Sequence, residues 1–210
     1  MAEQPTLYAA KGGGSAIIEA LFALAGVDCK VRYFSWEELP DDELLAVNPL
    51  GEIPALRLPG GEVLTETAAI TLWLGDGFPD SGLVPSAGDP RRNQFLRHLI
   101  WLVAAVYPTF TYSDHPERFV ADREGAQSLY DSTERRRQQL WRQLEAELEG
   151  PWLCGGAMTA LDVFIAVMSS WRPQRDWFAR ECPTLFTIAR QVDRLQPLQP
   201  VWRDNGLPQS

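Results

Sequence analysis

Two short runs hold the residues best suited to chemistry: Asn48-Pro-Leu-Gly-Glu-Ile-Pro-Ala-Leu56 and Val63-Leu-Thr-Glu-Thr-Ala-Ala-Ile70. Pro54 opens a short apolar run, a place where proline is tolerated and where an X-Pro bond adopts the cis form at modest cost. A cis bond there turns the Ile53 N–H and C=O away from the sheet, free to pair with a peptide-like ligand as one strand pairs with another. Glu66 and Thr67 stand where a strand hands over to an apolar helix. The backbone N–H groups of a helix start attract a carboxylate, and the Glu66 side chain can pair with an ammonium. A ligand with an amino-acid head and a peptide body fits both runs.

These residues need a small α/β scaffold. Thr6–Ala9 reads as a strand, broken by Lys11-Gly-Gly-Gly14, and residues 16–25 are rich in helix formers with Gly26 as the stop. Ser15 is placed as that helix's N-cap. Val31–Phe34 is a second strand, parallel to the first because a helix lies between them. Residues 36–47 hold a short helix, residues 55–58 and 62–64 a hairpin, and another helix starts at Thr67. Seven of the 16 residues from Gly75 to Pro90 are Gly or Pro, the composition of a linker. The spacing beyond it predicts only helices. One spans 91–106, with Pro108 bending or stopping it. A long amphipathic helix covers 122–149, whose Arg135-Arg136-Arg137 run reads as a solvated face. Thr159-x-x-Asp162 is a capping box that makes Asp162 a folding residue ahead of an apolar helix through Met168.

The 210-residue chain has a formal net charge of −9, which argues against a nucleic-acid partner bound through a basic face. No apolar run approaches the roughly 20 residues of a membrane span, and the first residues lack a secretory pattern, so no membrane association and a cytoplasmic location are expected. Cys29, Cys154 and Cys182 are scattered, and with only two histidines no metal site suggests itself.

The runs NPLGEIPAL and LTETAAI resemble the glutathione-binding half of the cytosolic glutathione S-transferases of bacterial type. The resemblance implies a thioredoxin-like domain over 1–78, a linker over 79–90 and an all-helical domain over 91–210. It implies cis-Pro54, a backbone contact from Ile53 to the cysteinyl unit of glutathione, and γ-glutamyl contacts from Glu66 and Thr67. The family more often has Glu-Ser in that place, and threonine keeps the hydroxyl. Glutathione is then the co-substrate, with no metal, and a homodimer is the family's assembly. The thiolate is the nucleophile, and a hydroxyl at a helix start favours it by hydrogen bonding. By resemblance that role falls to Ser15, and Lys11 adds positive potential nearby. Bacterial relatives often carry a cysteine just before the serine; Gly14 stands there in this chain.

A second substrate would lie between the domains, where Trp101, Tyr107, Phe110, Thr111 and Tyr112 cluster in sequence as either an apolar pocket with polar handles or ordinary core. A small apolar electrophile such as an activated halide, epoxide or enone fits that description. Two competing readings are a glutathione-dependent disulfide or peroxide reductase and a non-catalytic binding or regulatory module of the same architecture. The intact Ile53-Pro54 and Glu66-Thr67 favour glutathione binding over an empty module.

Overall fold

The computed structural model describes residues 4–209; residues 1–3, part of the N-terminal stretch read above for a secretory pattern, and residue 210 lie outside them. Strand β1 (Thr6–Ala10) is followed by helix α1 (Ser15–Ala25) and strand β2 (Lys30–Phe34). β2 runs parallel to β1, with Leu7 opposite Val31, as the helical crossover requires. Helix α2 (Asp42–Val47), capped by the Asp41 carboxylate, leads to β3 (Ala55–Arg57) and β4 (Val63–Thr65), and α3 (Thr67–Gly77) closes this half. β3 pairs antiparallel with β1 on the edge away from β2, giving the sheet order β2-β1-β3-β4. Side chains alternate between faces. Leu7, Ala9 and Leu56 join the large core with α1 and α3, while Tyr8, Phe34 and Ala55 form a small core with Leu44 and Val47 of α2.

Past a 3-10 turn at Pro79–Ser81, the chain is helical: α4 (Arg92–Trp101), α5 (Tyr107–Asp114), α6 (Arg123–Ala146), α7 (Ala160–Met168), α8 (Arg175–Glu181), α9 (Pro183–Asp193) and α10 (Gln199–Asn205). This is the thioredoxin-like sheet-and-helix half followed by the helical region that the sequence predicts. Every residue of α7 is buried, and α1 packs on both α7 and α10, so one core joins the two halves. The capping box forms as predicted. Asp162 accepts from the Thr159 N–H at 2.7 Å and also from the Leu153 N–H at 2.8 Å. Burial pushes its carboxyl up to about 6, against those hydrogen bonds.

Two expectations change. The helix does not stop at Pro108. Residues Leu102–Val106 form a π-helical segment in which the Tyr107 N–H bonds the Leu102 carbonyl, five residues back, and α5 continues from there. Proline has no N–H to give to the carbonyl four residues earlier, and the widened turn absorbs that loss without ending the helix. Arg137, in turn, is not on a solvated face: it is fully buried, unlike the exposed Arg135 and Arg136. Its guanidinium donates to Thr109 Oγ1 at 2.9 Å, the Thr109 carbonyl at 2.7 Å and Ser113 Oγ at 3.0 Å, and it pairs with Glu134. The planar fork satisfies several acceptors of α5 at once, and Phe110 covers its face at 3.8 Å.

Candidate active site

The start of α3 carries the first chemical feature. Glu66 is its N-cap, with φ 65 and ψ 117, a left-handed backbone conformation that a non-glycine residue rarely adopts. Such strain costs roughly 1–3 kcal/mol and persists where the surroundings impose it. The Glu66 side chain is exposed, while Thr67, the first helical residue, is buried. Ahead of them, the Ile53–Pro54 bond is cis, as predicted, and both β3 ladders begin at Ala55, so the Ile53 backbone takes no part in either.

The loop between β1 and α1 is clamped from three sides. The Trp36 indole donates to the Lys11 carbonyl at 3.0 Å, and the Trp171 indole to the Gly12 carbonyl at 2.8 Å. The Gly12 N–H donates to Asn205 Oδ1 at 3.1 Å. Asn205 also donates to Glu19, which accepts the Tyr33 hydroxyl at 2.6 Å and whose carboxyl is pushed up by burial. An added side chain would crowd the loop where the clamps close: a Cβ on Gly13 would stand 2.8 Å from the Trp36 ring, and one on Gly14 3.0 Å from the Tyr107 hydroxyl.

Ser15 departs from its predicted role as the cap. Gly14 is the N-cap of α1, and Ser15 is the first helical residue, fully buried. Its hydroxyl donates to the Ala10 carbonyl at 3.0 Å and accepts from the Ala10 N–H at 3.2 Å. Its one O–H is thereby engaged in closing the loop from inside. The Lys11 ammonium stands over the Tyr33 ring at 5.5 Å, and its charge acts on Glu19.

Of the predicted second-substrate residues, Tyr107 and Thr111 lie four apart on α5, and Tyr107 reaches the α1 start. Tyr112 turns to a different partner, Phe119, edge-on at 4.7 Å, and both are exposed. Trp101 lies at the end of α4, before the π segment, half-buried against the core. Phe110 is buried and meets Trp171 edge-on at 5.2 Å. Trp171 is the residue that sequence reading missed: it packs edge-on against Tyr107 as well, at 5.7 Å, while holding Gly12. The sequence offers only an isolated tryptophan in a Ser-Ser-Trp-Arg-Pro turn as a signal.

A thioredoxin-like sheet bearing this cis-proline and a strained glutamate at the next helix start, joined to a helical half, defines a class. Residues 15–76 match the family model for the glutathione S-transferase N-terminal domain, and the chain belongs to the glutathione S-transferase family. It is 36% identical over 205 residues to the uncharacterized GST-like protein YncG of Escherichia coli (strain K12), across 96% of this chain and 98% of that one. The glutathione S-transferase GstA of Escherichia coli O157:H7 is 28% identical over 130 residues, 62% of either chain. In fold, the chain is similar to a glutathione transferase homolog from Sulfitobacter solved with bound glutathione. That pair has a TM-score of 0.86 and 21% identity, covering 98% of this chain and 100% of the other.

Proposed function

We propose that the protein is a glutathione transferase that presents the thiolate of bound glutathione to small apolar electrophiles. Glu66 carries the reading: an exposed carboxylate held in a left-handed backbone, without a hydrogen-bond or ion-pair partner among the described residues. Backbone strain of this kind clusters at active sites and ligand clamps. Glu66 takes the ammonium of the γ-glutamyl head, and the Thr67 end of α3 takes its carboxylate through backbone N–H groups. The Ile53 backbone next to cis-Pro54 pairs with the cysteinyl unit, which leaves the sulfur at the start of α1, where the helix dipole favours negative charge. Tyr107, Thr111 and Tyr112 border the electrophile. Residues 1–78 and 91–210 are the two domains across which the site is built, and the family resemblance supports a cytoplasmic homodimer.

Covalent thiol exchange through a protein cysteine is the weaker reading. Gly14 leaves no sulfur at the α1 start, Cys154 and Cys182 are buried, and burial pushes Cys29 up to about 12. The reading is tested by incubating the protein with glutathione and, separately, an activated aryl halide, an epoxide and an enone. Conjugation that exceeds the uncatalysed rate and saturates in glutathione supports it. No acceleration with any of the three electrophiles overturns it.

A further inference from the structure

With Ser15 tied to Ala10, the start of α1 needs another donor to hold a thiolate. The Tyr107 hydroxyl is the group that reaches it. The oxygen lies 3.0 Å from the position of a Cβ on Gly14, and the Thr67 side chain lies beside it, so it stands between the starts of α1 and α3. It is cut off from solvent and makes no hydrogen bond of normal geometry, the Thr67 side chain being its one hydrogen-bonding neighbour, whereas the ring as a whole is only half-buried. A buried phenol so weakly paired is costly and calls for an explanation.

The backbone supports the same assignment. The π segment Leu102–Val106 ends at Tyr107, whose N–H makes the five-residue bond back to Leu102. An extra residue in the turn re-aims everything after it, and π segments of this kind concentrate at functional sites. Trp171 holds the ring edge-on and fixes the facing loop through Gly12, so phenol and glycine loop are positioned by one residue. Burial raises the phenol's pKa, which keeps the proton on the oxygen as donation requires. The missing side chain at Gly14 leaves the phenol unobstructed on that side.

We propose that Tyr107, from the helical half, donates the hydrogen bond that holds the glutathione sulfur as a thiolate; this assignment rests on the glutathione reading above. The phenol keeps its proton, the thiol proton leaves to solvent before attack, and no group on the protein is consumed.

The test is the pKa of enzyme-bound glutathione, read from thiolate ultraviolet absorbance, in the wild type, Tyr107→Phe and Ser15→Ala. Phenylalanine keeps the contact with Trp171, and melting temperatures check that each variant is folded. The wild type should hold the thiol below its free value near 8.5, and Tyr107→Phe should raise it by about one pH unit. That corresponds to about ten-fold less thiolate at pH values below both pKa values, recovered at higher pH. Ser15→Ala should leave the bound thiol where the wild type has it. S-methylglutathione, which has no thiol to ionise, should bind wild type and Tyr107→Phe equally. An unchanged thiol pKa in Tyr107→Phe overturns the assignment while leaving the glutathione reading intact, as does a loss of S-methylglutathione binding in that variant. A wild type that binds neither ligand overturns the glutathione reading, and this assignment with it.

Discussion

Replacing Ser15 by alanine separates a structural hydroxyl from a chemical one. The side chain is fully buried and makes two hydrogen bonds, both to Ala10. A buried hydrogen bond contributes about 0.5–1.5 kcal/mol net, and a polar group left unpaired inside costs about 1–3 kcal/mol. The loss should therefore be about 2 kcal/mol, since Ala10 stays in the ladder with β2 and keeps part of its pairing. For a chain of this size each kcal/mol moves the melting temperature by roughly 2–4 °C, so the variant should melt about 4–8 °C lower. Thermal unfolding followed by circular dichroism reads this directly. A melting temperature equal to the wild type's would show that the hydroxyl does not close the loop, and the case against Ser15 as the thiol's partner would collapse.

Glu66→Gly should hold or raise the melting temperature, because glycine adopts φ 65 without penalty, yet should lose glutathione; calorimetry and thermal melts together show whether strain was kept for binding. Arg137→Met should cost about 3 kcal/mol or more in urea unfolding, since it strips Thr109 and Ser113 of a donor and leaves Glu134 underpaired. Asp162 carries a pH signature. Its folded pKa of about 6 lies above its ordinary 3.8, so the native state holds the extra proton between those values. The stabilisation is full below about 4 and disappears as pH rises through 6. Lowering the pH from 7 to 5 should thus stabilise the wild type more than Asp162→Asn, and equal shifts in melting temperature would contradict the assignment.

Local signals in the sequence carried the cis-proline loop and the start of α3. A proline before a three-residue apolar run and a Glu-Thr pair before an apolar helix need no distant partner to be read. The structure places both as expected, adding only the left-handed backbone at Glu66, which propensity disfavours and only tertiary context imposes. Residues whose role depends on what packs against them were not legible. Ser15 reads as a cap from its place after three glycines, but its hydroxyl turns inward to Ala10 because β1 ends directly behind it. Arg137 looks identical to Arg135 and Arg136 in a triple-arginine run; helix phase alone puts it against Thr109 and Ser113. Pro108 signals a break that the π segment absorbs, and that segment is what aims Tyr107. Trp171 lies 159 residues from the glycine it holds, a separation that no local pattern spans.

In the proposed site, Glu66 and the start of α3 bind the γ-glutamyl head of glutathione. Isothermal calorimetry of reduced glutathione with the wild type and with Glu66→Ala tests it most directly. The wild type should show saturable one-site binding that Glu66→Ala abolishes or weakens at least about ten-fold, the effect of removing a hydrogen bond to a charged group. Equal affinity in the two proteins, or no binding to the wild type at millimolar ligand, would contradict it.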